Sequence, residues 1–318
     1  MNDSKTKLGD IYARSPDETN LGSGLLAGIA TALAFGLGGF VLIKDNTGSM
    51  GGVLFLLLPF ATGFATALVA RRRNVAIASL IIGLLICSTL LLITKMEGWV
   101  CVLMSAPLIA VGLAIGALIG TLVRILVIDK SSRPKVMNLL LLLTLPLFLM
   151  GANRLEEPSR RTTRAESFTS VLIVDASPEE VWKQIKTMDR VNAHKGFLMR
   201  IGLPVPVSCK VDKEAVGGKR TCYFESGYIE ERITEWNPPH SMRLDITSWD
   251  VPGRPWLDFK DASYEIHQEN GQTVMTRTST IISRLLPVWY WRRFEKIGVE
   301  TEHEYLFEAV KNRINAEK

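Results

Sequence analysis

The sequence predicts two parts of different fold class: a multi-pass α-helical membrane domain, and then an α+β domain in which an antiparallel sheet wraps around a long C-terminal helix. Long uncharged apolar runs occur only up to Ala152. The basic surplus lies there too, with 12 Lys/Arg against 7 Asp/Glu up to Ala152 and 25 against 25 after it. Short strand-like segments begin near Ser167. We expect a polar tail over 1–22, a membrane domain over 23–152, a linker over 153–166 and a second domain over 167–318.

Five uncharged apolar runs predict five membrane-spanning helices, because a hydrocarbon core of roughly 30 Å needs about 20 apolar residues. The last run has 17 residues, which is at the lower limit. None of the runs contains the charged groups that ion paths and proton relays need, so a transporter is not expected. The predicted spans are 23–43, 51–70, 75–94, 99–123 and 136–152.

The distribution of basic residues in the connections predicts the orientation, since short cytoplasmic loops retain Lys and Arg. The triplet Arg71, Arg72 and Arg73 is placed inside. An odd number of spans then puts the second domain on the extracytoplasmic side of the cytoplasmic (plasma) membrane. The same choice places Lys5, Lys7, Arg14, Lys130, Arg133 and Lys135 inside and leaves Lys44 and Lys95 outside, while Arg154, Arg160, Arg161 and Arg164 argue against it.

A glycine at every fourth position of the fourth predicted span makes a groove that another helix backbone can approach closely. The glycines are Gly112, Gly116 and Gly120, and Gly24 and Gly28 form a shorter pair in the first span. Two alternatives follow: packing within the chain's own helical bundle, or association of several copies into a homo-oligomer.

The second part combines strand-like alternation with two helical signals. Ser177, Pro178 and Glu180 form a capping-box pattern at a helix start. A long amphipathic segment over 287–314 predicts the terminal helix. Strands are expected over 169–174, 207–213, 219–226, 228–236, 242–249, 262–268 and 273–282.

Composition and motifs exclude several functional classes. Balanced charge in the second part gives no basic face, so no nucleic-acid partner is expected. No nucleophile elbow, phosphate loop or zinc signature occurs. The four histidines are scattered, so neither a metal site nor a cofactor is expected.

Two parts of the sequence resemble the SRPBCC or START-like (polyketide cyclase/dehydrase-type) helix-grip superfamily. The segment 174–182, VDASPEEVW, together with the strand order and the terminal helix, is similar to the superfamily as a whole. The segments 217–236, GGKRTCYFESGYIEERITEW, and 286–291, LPVWYW, with His303, are similar to membrane-anchored members. Arg232 departs from the pattern, which has proline there. The resemblance implies a helix-grip fold with a hydrophobic ligand cavity. The matching residues are Arg220, Cys222, Gly227, Glu231, Trp236, Tyr290 and Trp291.

Strand parity gives the candidate site, because alternate residues face opposite sides of a sheet. If Ser226 and Gly227 form a two-residue turn, Cys222 lies opposite Glu231, and Arg220 lies diagonally from Glu231 on the covered face. The pair would either orient the head group of a ligand in an apolar pocket or form a structural ion pair. His303 is either a buried histidine with satisfied hydrogen bonds or an acid–base group. The full set of candidate ligand-binding residues is Arg220, Phe224, Ile229, Glu231, Ile233, Leu244, Trp291 and His303.

Three functions follow as hypotheses. The first is a membrane-anchored START-like domain that binds a hydrophobic small molecule, lipid or isoprenoid-like, at the membrane surface. The second is a cyclase- or aromatase-like enzyme in which Glu231 or His303 moves a proton, and the third is a protein-interaction module.

Two further features leave alternatives open. Cys209 and Cys222 form a disulfide if the turn between their strands is centred at Ala215 and Val216, and are out of register if Gly217 and Gly218 form the turn. Four aromatic residues suit either a cavity mouth or a bilayer interface, namely Trp249, Trp256, Trp289 and Tyr290.

Overall fold

The computed structural model describes residues 16–43, 51–70, 72–94, 99–251 and 257–317. The tail up to residue 15, Lys44, Arg71, Lys95 and Trp256 lie outside the described residues. Two compact units divide the chain: one comprises Met1–Lys44 and Gly52–Glu156, and the other comprises Asp45–Gly51 and Glu157–Lys318. We refer to them as the helical unit and the sheet unit.

Apolar helices build the helical unit. Four of them are long and apolar enough to cross a membrane, Leu21–Leu42, Arg73–Ile93, Trp99–Ile128 and Lys135–Ser159, and Val53–Val69 is a shorter apolar helix. One short π-helical segment, Ala34–Gly38, interrupts the first helix, whereas Val53–Leu57 begins the shorter helix and Arg124–Ile128 ends the helix that starts at Trp99. The α-helices are α1 (Pro16–Leu33), α2 (Gly39–Ile43), α3 (Leu58–Val69), α4 (Arg73–Ile93), α5 (Trp99–Val123) and α6 (Pro134–Arg161).

Two helix ends differ from those predicted. Helix α1 begins at Pro16 rather than at residue 23, because Pro16 and the acidic residues after it suit a helix start. Helix α6 continues to Arg161, so most of the expected linker 153–166 is helical. Arg154, Leu155, Glu156 and Glu157 are good helix formers, and charge and helical propensity are separate properties. The helix continues past Pro158, which does not favour a helix interior.

The glycine stripe of α5 packs against α3 of the same chain. A Cβ atom added at Gly116 would lie 2.0 Å from the carbonyl oxygen of Phe60, and one added at Gly120 would lie 2.7 Å from that of Phe64. Gly112 similarly faces Pro59 and the carbonyl of Leu56. Packing within the bundle is therefore what this stripe does. Association of several copies stays a prediction.

Two charged side chains satisfy backbone groups at helix ends in the helical unit. Arg124 Nη1 donates to the carbonyl oxygens of Ala67 (3.1 Å) and Ala70 (2.6 Å) at the end of α3. Glu156 Oε1 accepts from the amide of Gly52 (2.5 Å), and its Oε2 accepts from that of Val53 (3.2 Å). These groups have no partner within their own helix, and the charged side chains replace water as partners.

The sheet unit contains one curled, seven-stranded antiparallel sheet in the order β1-β7-β6-β5-β4-β3-β2. All seven predicted strands are confirmed. Strand β1 begins earlier than predicted, because its first residues are polar and carry no alternating apolar signal. The strands are β1 (Arg164–Val174), β2 (Pro206–Val211), β3 (Lys219–Phe224), β4 (Gly227–Asn237), β5 (Ser241–Trp249), β6 (Leu257–Glu269) and β7 (Gln272–Ser283).

Three helices accompany the sheet: α7 (Pro178–Lys186), α8 (Phe197–Arg200) and α9 (Val288–Glu317). The predicted capping box is confirmed, since Ser177 Oγ accepts from the amide of Glu180 at 3.2 Å and Glu180 Oε2 accepts from the amide of Ser177 at 2.7 Å. Apolar side chains of the sheet, α7 and α9 form one core, which includes Val181, Trp182, Ile185, Ile233, Met242, Leu244, Met275, Leu306 and Val310.

Cys209 and Cys222 are joined by a disulfide with an S–S distance of 2.08 Å. They lie directly opposite each other on β2 and β3. Gly217 and Gly218 are not the two central residues of the turn: Gly218 N donates to Ala215 O at 3.0 Å, so Val216 and Gly217 lie at its centre. The two glycines also pair with β4, since Gly217 N donates to Ile233 O at 2.8 Å and Ile233 N donates to Gly218 O at 2.9 Å. The longer connection keeps the cysteines in register.

Candidate functional site

Arg220 and Glu231 form an ion pair inside the sheet unit. They lie opposite each other on β3 and β4, and Arg220 Nη1 is 2.6 Å from Glu231 Oε2. Their side chains are only 4% and 8% exposed. The predicted inward direction is therefore correct.

The predicted register of this hairpin is wrong by two residues. Cys222 faces Ile229 rather than Glu231, because the turn consists of Glu225 and Ser226. Gly227 belongs to β4, where its φ is +129° and an added Cβ would lie 1.5 Å from the carbonyl oxygen of Asp250. The glycine serves this close backbone approach rather than the turn.

A second buried ion pair joins β7 to α9. Arg277 Nη2 lies 3.0 Å from Glu302 Oε2. The guanidinium groups of Arg277 and Arg220 both lie over the ring of Tyr264, with their Cζ atoms 5.3 Å and 5.9 Å from its centroid. Both guanidinium groups thus lie against one aromatic ring, and each is paired with a carboxylate, so the four formal charges cancel. The Glu302 side chain is 20% exposed and lies at the margin of the group. We call these five residues the buried charge cluster.

Arg277 and Glu302 were not among the predicted site residues, although strand parity in the sequence indicates the position of Arg277. Arg277 has the same strand parity as Met275 and Ile281, which are both buried. Its place on the covered face was therefore readable from the alternation in β7. Glu302 had no such signal, because a carboxylate at that position is equally compatible with a solvent-facing helix surface.

Electrostatics keeps both arginines of the cluster charged. Burial is the largest single influence and acts to lower the pKa of Arg220, but the nearby Glu231 and Tyr264 together outweigh it, and the pKa lies above its usual value. The pKa of Arg277 is raised in the same way, with Glu302 as the opposing charge. Burial raises the pKa of the Glu302 carboxyl, and the charge of Arg277 opposes this rise.

Three guanidinium N–H groups of the cluster have no hydrogen-bond acceptor among the described residues: Arg220 Nε, Arg277 Nε and Arg277 Nη1. All three atoms are buried. The terminal nitrogens of Arg220 donate to Glu231 and to the carbonyl oxygen of Ile185 at 3.2 Å. The arrangement thus offers three hydrogen-bond donors inside an apolar core.

His303 is fully buried on α9 and both of its ring nitrogens are hydrogen-bonded. Nε2 lies 2.8 Å from Ser279 Oγ, and Nδ1 lies 2.9 Å from Ser170 Oγ. Burial, assisted by the positive charge of Arg277, lowers the pKa of His303 to about 2. The side chain is therefore neutral at physiological pH, as expected for a buried histidine with satisfied hydrogen bonds.

The remaining predicted site residues lie at different distances from the cluster. Ile233 and Leu244 are buried in the apolar core, and Phe224 packs against that core. Ile229 is buried opposite Cys222. Trp291 lies near the start of α9, about 18 Å before His303 along the helix axis, where its Nε1 donates to the carbonyl oxygen of Leu286 at 3.1 Å. The structure thus does not bring Trp291 to the ion pairs of Arg220 and Arg277.

The elongated apolar cavity expected between the sheet and α9 stays a prediction. A cleft of about 200 Å³ lies in the helical unit instead, lined by Ala34, Phe35, Gly39, Leu42, Pro146, Leu149 and Met150. Within the described part of the chain, no group of three or more His, Cys, Asp or Glu residues is arranged to hold a metal ion.

The arrangement of the sheet unit, a curled antiparallel sheet closed by a long C-terminal helix, defines a helix-grip domain. No family model matches the chain, and no curated protein does.

Solved structures do show similarity. Protein Ms6760 from Mycobacterium smegmatis is 14% identical with a TM-score of 0.33, and covers 49% of this chain and 98% of its own. TTHA0849 from Thermus thermophilus is 16% identical with a TM-score of 0.35, and covers 48% and 99%. Ara h 8.0201 is 11% identical with a TM-score of 0.32, and covers 48% and 99%.

Proposed function

We propose that this chain is a membrane-anchored helix-grip protein that binds an apolar small molecule through an uncharged oxygen acceptor on its head group. One observation carries the proposal: the buried N–H groups Arg220 Nε, Arg277 Nε and Arg277 Nη1 have no acceptor among the described residues. Leaving a buried donor without an acceptor costs about 1–3 kcal/mol. A ligand that supplies the acceptors would recover this free energy.

The charge balance of the cluster favours an uncharged acceptor. Glu231 and Glu302 already balance Arg220 and Arg277, so an anionic head group would leave one buried negative charge in excess. A carbonyl, ester or hydroxyl oxygen accepts hydrogen bonds without adding charge. The neighbouring side chains Ile233 and Leu244 are apolar and suit a hydrocarbon body. A lipid or isoprenoid-like molecule has both features.

Membrane anchoring is supported by the four long apolar helices and the shorter Val53–Val69. Anchoring keeps the domain next to the compartment in which apolar molecules dissolve. The disulfide between Cys209 and Cys222 suits an oxidising compartment, and thereby supports an extracytoplasmic position of the sheet unit.

The test is to purify the full chain in mild detergent and to quantify by mass spectrometry the apolar molecules that its organic extract contains. Arg277→Lys keeps the positive charge opposite Glu302 but removes the planar Nε and Nη1 donors. We expect this variant to lose most of the co-purifying molecule. Arg243→Lys is the matched control, because Arg243 forms an exposed, long ion pair with Glu235 at 4.0 Å.

Equal amounts of bound molecule in the wild type and in Arg277→Lys would contradict the proposal, as would an extract without any bound molecule. The melting temperature of each variant shows whether a loss reflects unfolding. A molecule released chemically altered would indicate an enzyme instead. The neutral, doubly hydrogen-bonded His303 gives such an enzyme no proton-transfer group at that position.

A further inference from the structure

The first three turns of α9 expose an aromatic and basic stripe. Trp289 is 67% exposed, Ile297 is 48% exposed and Val288 is 38% exposed. Arg292, Arg293 and Lys296 are exposed between them. The six residues recur as neighbouring pairs at intervals of four, so they share one face of the helix. We call them the α9 stripe; none of the six is acidic, and Lys296 pairs with Glu300 one turn further along the helix at 3.7 Å.

The opposite face of this helix segment is fixed to the sheet. Trp291 and Glu295 are buried there. Glu295 Oε2 accepts from Arg164 Nη2 at 2.6 Å, and its Oε1 accepts from Ser283 Oγ at 2.5 Å. The exposure of the α9 stripe is therefore a property of a rigidly attached helix.

The α9 stripe lies close to the point where the chain enters the sheet unit from α6. Arg164, which contacts Glu295, is the first residue of β1, and Arg292 Nε contacts Glu166 Oε2 at 2.9 Å. Only Thr162 and Thr163 separate β1 from α6. Two extended residues span at most about 7 Å. The polar residues 153–161 at the end of α6 add about 14 Å of helix. If α6 crosses the membrane with its apolar run, the chain therefore holds the start of β1 within roughly 20 Å of the hydrocarbon core.

The chemistry of the stripe fits a phospholipid surface. Tryptophan is favoured at the membrane–water interface, where its ring contacts the acyl boundary and its N–H reaches polar groups. Arginine and lysine near the surface attract anionic head groups. Exposed Trp, Val and Ile side chains have no such favourable contacts in water. An exposed apolar stripe of this kind therefore indicates an interaction surface.

We propose that the α9 stripe lies in the head-group region of the bilayer and that anionic phospholipid is its partner. This inference rests on the proposed function in one respect, namely that α6 spans the membrane. The contact would hold the start of α9, and with it the sheet, in a fixed orientation on the lipid surface.

The test uses the full chain in nanodiscs made from phosphatidylcholine that is brominated near the glycerol end of its acyl chains. Bromine quenches tryptophan fluorescence only at short range. The difference between wild-type and Trp289→Phe spectra isolates the Trp289 signal from the other tryptophans. We expect bromine to remove most of this difference signal. Adding phosphatidylglycerol should strengthen the quenching, and Arg293→Gln should weaken that lipid dependence.

Two controls make the outcome decisive. Arg190→Gln removes an exposed arginine outside the stripe and should leave the lipid dependence unchanged. Resistance of the chain to alkaline extraction from membranes tests anchoring separately, so its failure would contradict the proposed function. An extraction-resistant chain whose Trp289 signal is not quenched would contradict this inference. If such a chain also cross-links as a dimer, a second copy rather than lipid covers Trp289.

Discussion

Tyr264 is the residue around which the four buried charges are organised. Its ring provides a π face to both guanidinium groups, which repel each other, and each guanidinium has a carboxylate partner. A cation over an aromatic face is stabilised by about 0.5–2 kcal/mol. Ion pairing and ring contact together offset part of the desolvation cost of placing charge in an apolar core.

Removing one member of the first ion pair should be more damaging than removing both. Glu231→Leu leaves Arg220 charged and buried, which costs roughly 3–5 kcal/mol. The double variant Arg220→Met with Glu231→Leu replaces the pair by apolar groups and should recover most of that loss. Denaturation in detergent measures the free energies of unfolding. Additive effects of the two substitutions would contradict the ion pair as the coupling element.

His303 should make the sheet unit sensitive to mild acid. Its folded-state pKa of about 2 lies far below its ordinary value of 6.5. Below pH 6.5 the unfolded chain therefore binds a proton that the native state does not. This contribution to stability is present above pH 6.5 and is lost as pH falls, by about 1.4 kcal/mol per pH unit at full slope.

The measurement is the free energy of unfolding between pH 7 and 5 in detergent. His303→Gln should flatten the slope, whereas His267→Gln should leave it unchanged because His267 has an exposed side chain. Equal slopes in all three proteins would show that His303 takes up a proton in the native state.

Side-chain direction could be predicted from the sequence, but pairing could not. Alternation in β3 and β4 placed Arg220 and Glu231 on the covered face, since parity depends only on spacing along one strand. Their register depended on which residues form the turn. Gly227 looked like a turn residue, and only the approach of the Asp250 backbone after β5 shows otherwise. Contacts between distant segments, such as Arg277 with Glu302, leave no local pattern.

At the scale of elements, the contact between α3 and α5 depends on the absence of side chains. The glycine stripe lets two backbones approach within a distance that no Cβ atom permits. The glycine spacing predicted that a helix packs closely on α5, but not that this helix is α3, because any apolar helix can pack on such a groove.

Gly116→Ala should therefore destabilise the helical unit. The added Cβ would lie 2.0 Å from the carbonyl oxygen of Phe60, which is part of the backbone and cannot rotate away. We expect a loss of about 1–3 kcal/mol, measured as a lower melting temperature in detergent. Gly151→Ala is the control, because nothing lies within 4 Å of its added Cβ. Equal melting temperatures for the two variants would contradict close packing of α5 on α3.

At the scale of the whole molecule, the proposed number of membrane crossings depends on the shortest apolar helix. Val53–Val69 is too short for the group of four long helices, yet it is apolar throughout. With it the number of crossings is five and the two chain ends lie on opposite sides. Without it the number is four and both ends lie on the same side.

A topology reporter distinguishes the two cases. A reporter that is active only outside the cytoplasm should be active when fused after the last residue and silent when fused at Arg72, because the arginine-rich connection stays inside. Activity at Arg72 and silence at the C-terminus would reverse the assignment. Three long helices follow Arg72, so these two positions lie on opposite sides with either number of crossings. A reporter fused before the first helix therefore tests Val53–Val69: it should be silent if this helix crosses, and activity at both chain ends would remove Val53–Val69 as a span.

The two edges of the sheet differ in how they can open. Strand β2 at one edge is tied to β3 by the covalent bond between Cys209 and Cys222. Strand β1 at the other edge is bound to β7 by hydrogen bonds, and its first residue follows α6 after two residues. A pull on α6 would therefore load the hydrogen bonds of β1 one after another from Arg164 onward, and would separate Arg164 from Ser283 before it reached Ser170 beside His303.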